Sequence, residues 1–141
     1  MTARIATVLC LLFVTICAAT DQKPVLGQSR FPASYVPSGK AMFKQYCAAC
    51  HGTDGKGRGP ATASLNTRPA DLTALTRNHG GKFPFDYVAN VLRFGPGFSA
   101  HGSSEMPTWG PIFQYLDNND EAAVRQRIKN LCDYLESLQV K

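Results

Sequence analysis

The sequence has no run that alternates apolar and polar residues as a half-buried strand would, and no internal repeat. Helices are left as its regular structure, and repeat architectures are excluded. No basic run and no nucleic-acid-binding motif accompanies the formal net charge of +5, so that charge does not argue for a nucleic-acid partner. Only 18% of the residues are charged and 44% are hydrophobic, a balance that suits one small globular domain and not a disordered chain.

The N-terminal apolar run, Ile5 to Ala19, falls short of the roughly 18 residues that a membrane-spanning helix needs. Arg4 precedes it, Cys17-Ala18-Ala19 ends it with small residues, and Asp21 follows. That order is the pattern of a secretory signal peptide, so residues 1–19 are expected to direct export to the periplasm or beyond. An uncleaved anchor facing the periplasm is the alternative. A lipoprotein reading fits less well, because Ile16 stands before Cys17 where a small residue is wanted. Cleavage after Ala19 would remove Arg4, Cys10 and Cys17. The remainder would carry a formal charge of +4 and three cysteines, Cys47, Cys50 and Cys132. An odd count is a poor start for a disulfide framework.

Residues 20–36 contain Pro24, Gly27, Gln28, Ser29 and Pro32 without periodicity and read as an extended leader to a domain over 37–141. Gly39, Met42, Phe43 and Tyr46 recur at helical spacing, which predicts a first helix from about Ser38 into Cys47. Four glycines within residues 52–60 exclude regular structure there and allow the backbone to approach something flat and bulky. A short helix is expected near Ala70–Arg77. Another should start at Pro84, present Phe85, Val88, Val91 and Leu92, and stop at Gly95-Pro96. A Gly/Ser/Pro-rich loop over 95–110 follows, and Pro111 is expected to open a single turn through Leu116. Asn118, with Glu121 three positions on, is expected to cap a last helix whose apolar stripe is Val124, Ile128, Leu131, Leu135 and Leu138. The expectation is an all-α fold of three to four helices joined by long loops. Such loops in so small a domain imply that they wrap a cofactor.

Cys47-Ala48-Ala49-Cys50-His51 is a C-x-x-C-H pentad, the signature of covalent c-type haem attachment. Two thiols on one helical turn can each add to a neighbouring haem vinyl group, and the adjacent imidazole can then reach the iron. A thioredoxin-like pair would want a βαβ context, and here a helix meets a Gly-rich loop. A zinc site would want a second closely spaced pair, and only Cys132, His79 and His101 remain, widely scattered.

With these residues in place the chain resembles the class I monohaem cytochromes c over about residues 37–140. The resemblance rests on the helix with Gly39 and Phe43, the pentad, Gly59-Pro60, Met106-Pro107-x-Trp109, and the last helix with Leu131 and Tyr134-Leu135. It implies the cytochrome c fold around one haem c bound through Cys47 and Cys50. First and last helices would cross, Gly39 and Phe43 meeting Leu131 and Tyr134. It implies His51 and Met106 as axial ligands, the His/Met set that raises the potential. His101, in the same loop as Met106, is the rival ligand. It implies that the Pro60 carbonyl accepts a hydrogen bond from the second nitrogen of His51, and that Arg68 and Trp109 are candidates to donate to a haem propionate. Met42 and Cys132 read as core residues and His79 as a solvated loop residue.

The function implied is outer-sphere transfer of single electrons by an exported carrier, a monomer or a complex subunit. The donor would be a membrane reductase or dehydrogenase and the acceptor an oxidase or reductase. Lys44, Lys56 and Arg58 lie beside the pentad in sequence and would steer acidic partners. Two other readings stay open at this point. One is a haem domain with a labile axial position that binds a small ligand or reduces peroxide. The other is an electron-relay subunit within a larger oxidoreductase, possible also for a chain tethered by an uncleaved N-terminus.

Overall fold

The Ser38 hydroxyl accepts from the backbone N–H of Ala41 at 3.3 Å and so caps the first helix at the predicted place. The structure, a computed structural model, describes residues 35–96 and 105–140. The proposed signal segment, the leader before residue 35 and the loop positions 97–104 with His101 lie outside the described residues.

The first helix, α1, is an α-helical turn Gly39–Met42, a π-helical stretch Phe43–Cys47 and a second α-helical turn Ala48–His51. It therefore continues past its expected end at Cys47 and carries the whole pentad. Its π stretch bonds Ala48 N–H back to the Phe43 carbonyl, a widening common at functional sites. After the glycine loop come 3-10 turns at Pro60–Ser64 and Leu72–Ala74, then α2 (Leu75–Asn78), α3 (Phe85–Phe94), α4 (Trp109–Leu116) and α5 (Glu121–Ser137). Among the described residues the expected three or four helices are thus five, and no strand occurs. None of these helices is long and apolar enough to cross a membrane.

Two boundaries differ from expectation. Helix α4 begins at Trp109, with Pro111 inside its first turn, where a missing N–H leaves no bond unmade. Asp120, not Asn118, caps α5, its carboxylate accepting from Ala122 N–H at 2.9 Å and Ala123 N–H at 3.3 Å. Asn118 and Asn119 instead take positive φ values of 51° and 63° and turn the chain between α4 and α5.

The apolar stripe of α5 is buried as its spacing requires. Val124, Ile128, Leu131 and Leu135 pack with Met42 and Phe43 of α1, Val88 and Leu92 of α3, and Trp109 and Phe113 of α4. Each such side chain contributes about 1.5–3 kcal/mol by leaving water. Arg125, Gln126 and Lys129 face solvent, as expected. Helices α1 and α5 cross at Gly39, and the Phe43 and Tyr134 rings meet beyond it with centroids 5.3 Å apart. This crossing fixes the direction in which α1 delivers Cys47, Cys50 and His51 to the loops.

Candidate functional site

Cys47, Cys50 and His51 leave the C-terminal end of α1 half-buried, and both thiols are free. Burial pushes the Cys47 thiol up to about 12, with Cys50 adding to the effect, so Cys47 is held protonated. The carbonyls at this helix end are satisfied by the glycine loop folding back over them. Gly52 N–H donates to Ala48 O at 2.9 Å, Gly57 N–H to His51 O at 2.8 Å, and Gly59 N–H to Cys50 O at 3.0 Å. Thr62 Oγ1 adds a second donor to Cys50 O at 3.2 Å.

The glycines therefore serve a use the sequence did not reveal. Gly57 has a φ of +70°, and a Cβ there would overlap the Pro69 carbonyl. The close approach is to the protein's own backbone, and it brings residues 69 and 70 beneath His51.

His51 Nδ1 lies 3.0 Å from the Ala70 carbonyl oxygen. A carbonyl only accepts, so Nδ1 carries the proton and Nε2 keeps its lone pair. Burial lowers the His51 pKa, while the bond to Ala70 works in the opposite direction. The ring is thus neutral and oriented, the form in which imidazole binds a metal. The expected partner was the Pro60 carbonyl. Pro60 instead opens a 3-10 turn and is exposed, and Ala70, further along the same loop, takes the role because Gly57 holds that segment against the helix end.

Met106 is half-buried against the core that Trp109 and Phe113 build. Trp109 is buried at the start of α4, its ring 5.2 Å from Tyr46 and 5.8 Å from Phe113. Glu105, next to Met106, accepts from the loop below. Its Oε1 takes Asn66 N–H and Asn66 Nδ2, both at 3.0 Å, and its Oε2 takes Thr67 N–H at 3.3 Å. Nothing in the local sequence around Glu105 or Asn66 signals this pairing.

Arg68 is exposed and lines a shallow cleft with Lys56, Arg58 and Arg77, beside Asp71. Arg58 also pairs with Asp54 at 3.5 Å. Lys44 is exposed on α1. His79 is exposed at the end of α2, with Nδ1 2.8 Å from Leu75 O. Met42 and Cys132 are fully buried, and burial pushes the Cys132 thiol up to about 12, as suits an inert core residue.

The donor set fits a covalently held haem: two separate, half-buried thiols on one turn, followed by a neutral imidazole with Nε2 unprotonated. Among the described residues no three His, Cys, Asp or Glu side chains gather as a cage for a bare metal ion.

A family model described as cytochrome c oxidase, cbb3-type, subunit III matches residues 35–125. Neither a curated protein nor a solved structure matches the chain.

Proposed function

The chain belongs to the family of cytochrome c oxidase, cbb3-type, subunit III, a monohaem c-type cytochrome domain, and from that premise we propose an exported electron carrier with haem c on Cys47 and Cys50 and with His51 and Met106 as its axial ligands. Membership implies haem-based electron transfer. The observation that carries the finer reading is the neutral, Ala70-anchored His51 beside two unpaired thiols on one helical turn. When bound, the haem supplies an iron that gains or loses one electron.

The residues of the chain do the rest. Cys47 and Cys50 tether the group. Ala70 holds the neutral His51 ring at a fixed orientation, with Nε2 free to bind a metal. Met106, a soft thioether, would favour the reduced state of an iron it held and so raise the potential. Trp109 and Phe113 stiffen the start of α4 beneath the Met106 segment. Arg68, exposed in the cleft with Lys56, Arg58 and Arg77, is our candidate to donate to a haem propionate or to an acidic partner.

The family description favours one refinement. A subunit of an oxidase hands its electron to a fixed neighbour, so we place the acceptor within an oxidase complex, with the domain on the periplasmic side, behind a signal segment 1–19 and a leader 20–36. The basic cleft of Lys56, Arg58, Arg68 and Arg77 supports an acidic partner there.

Absorption spectra of the exported protein, oxidised and then reduced, test the reading. The expected result is sharp c-type bands on reduction and, in the oxidised form, the weak far-red band of a thioether bound to ferric iron. Met106→Ala should abolish that band. Bands of haem without it would return the sixth position to His101 or leave it open. A colourless protein would defeat the reading. Cys47→Ala with Cys50→Ala should prevent stable folding, because the haem would form much of the core, and a well-folded, colourless double variant would contradict that expectation alone.

A further inference from the structure

Segment 66–70 is held at both ends by side chains that flank or form the proposed axial ligands. At its far end Ala70 O accepts a hydrogen bond from His51 Nδ1, with the two atoms 3.0 Å apart. At its near end Asn66 and Thr67 give three hydrogen bonds to the two oxygens of Glu105, at 3.0, 3.0 and 3.3 Å. Glu105 is the chain neighbour of Met106 and lies 38 and 39 positions from those donors. Gly57, packed on the Pro69 carbonyl, braces the middle of the segment. The same five residues are therefore a common base for His51 and for the backbone that presents Met106.

We propose that Glu105 is a positioning residue for the sixth ligand: its carboxylate fastens the Met106 segment to residues 66–67 and thereby keeps the thioether where it can bind iron. The inference rests on the reading of Met106 as that ligand. The physical case is one of competition. A thioether is a weak, neutral ligand on a single-bonded chain, so its residence on iron depends on how narrowly its backbone is confined. Three hydrogen bonds onto one ionised carboxylate supply that confinement, because bonds to a charged acceptor are the stronger kind. Two of them come from backbone N–H groups, which fixes main chain to main chain through a single short side chain. Without Glu105 the Met106 segment would lose its hold on residues 66–67, while Trp109, packed in the core, would still fasten its C-terminal side.

The test is imidazole binding to the ferric holoprotein, in which added imidazole displaces the sixth ligand. In Glu105→Ala the apparent Kd for imidazole should fall about tenfold, the change expected when roughly one net charge-assisted bond's worth of confinement is lost. Glu105→Gln, which keeps one carbonyl oxygen but turns an amide toward the remaining donor, should fall between wild type and Glu105→Ala. Asn66→Ala, which removes one donor from the opposite side, should shift Kd in the same direction by less. The far-red band should weaken in the same order, and amide hydrogen exchange at Asn66 and Thr67 should quicken in Glu105→Ala. A Glu105→Ala protein that retains wild-type imidazole affinity while showing the far-red band would overturn the proposal alone. So would a lowered thermal midpoint with no change in Kd, since that is what a clamp without a bearing on the ligand would give. A wild-type protein without the far-red band, indifferent to Met106→Ala, would instead overturn the Met106 reading, and this proposal with it.

Discussion

Gly39 of α1 lies directly on the backbone of Asn130 in α5: a Cβ at position 39 would overlap the Asn130 carbonyl oxygen and sit 2.8 Å from the Tyr134 Cβ. Asn130 Nδ2 also donates to the Pro37 carbonyl at 3.0 Å and ties α5 to the segment just before α1, which opposes separation of the two backbones. The crossing decides where the pentad lands, so it is as much a feature of the site as of the core.

Gly39→Ala should accordingly destabilise the holoprotein. In an open helix the change would be worth about 1 kcal/mol in favour of folding. Overpacking a well-filled contact costs about 1–3 kcal/mol, and here the obstacle is backbone, so the upper end applies and a net loss of about 1–2 kcal/mol is expected. Urea denaturation followed by far-UV circular dichroism would show a lower midpoint with an unchanged slope. An unaltered or raised midpoint would mean that the helices can separate freely at this point.

Arg127 and Asp117 form an ion pair at 2.7 Å, with 8% of each side chain exposed. Arg127 Nε and Nη2 make a two-pronged bond to the carboxylate, the guanidinium lies 5.8 Å from the centre of the Phe113 ring, and Nη1 reaches the Met42 sulfur at 3.8 Å. The bond to Asp117 raises the Arg127 pKa above its usual value. Arg127→Ala strands a buried carboxylate and should destabilise the protein by about 3–5 kcal/mol. Replacing both partners by apolar residues of similar volume should recover most of that loss. If the single and double variants unfold at the same denaturant concentration, the penalty is one of lost packing and not of a stranded charge.

The contrast between these two contacts shows what is legible in a sequence. The pentad, the α5 stripe of Val124, Ile128, Leu131 and Leu135, and the Ser38 cap are local patterns, readable because the periodicity or spacing that makes them work lies within a few residues. The same reading located Met42 and Cys132 in the core. Arg127 was missed because it lies beside the apolar stripe, and only the partner at Asp117, across the α4–α5 turn, allows its burial. Asn118 looked like a cap because asparagine is suited both to caps and to left-handed turns; three polar residues in a row, 118–120, left the choice to tertiary geometry. Ala70 as the partner of His51 and Glu105 as the anchor of residues 66–67 have no local signal. A carbonyl belongs to every residue, and a glutamate pairs with whichever donors the fold brings near.

Acid should weaken the loop that holds His51. Asp71 Oδ1 accepts from Thr73 Oγ1 at 2.7 Å and Thr73 N–H at 2.9 Å. The Thr73 hydroxyl bond, more than any other cause, holds the Asp71 pKa below its ordinary 3.8. A depressed carboxylate pKa contributes stability above the unfolded value, and that contribution is lost as pH falls through the folded value. Asp71→Asn should therefore be less stable than wild type near neutral pH. The two should converge below pH 3.8, the ordinary carboxylate value. Thermal midpoints across that range measure it. A difference that stays constant down the acid limb would show that Asp71 acts through shape alone.

The basic cleft should make electron exchange depend on the charge of the partner. Lys56, Arg58, Arg68 and Arg77 face one opening with Asp71 as the acid among them, and Arg58 is partly engaged by Asp54. The local excess is positive, and a field of this kind raises encounter rates with anions by about tenfold or more at low salt. Two small outer-sphere oxidants of opposite charge separate that effect from any change in the protein itself. Oxidation of the reduced protein by anionic hexacyanoferrate should slow as ionic strength rises, and should slow several-fold in Lys56→Glu and in Arg77→Glu. Oxidation by a cationic cobalt phenanthroline complex should respond in the opposite sense to both. At about 0.15 M salt the screening length is only about 8 Å, so the variants should there approach wild type. Equal slowing with both oxidants would point to a damaged electron path, whereas rates indifferent to salt and to both substitutions would remove the cleft from the encounter.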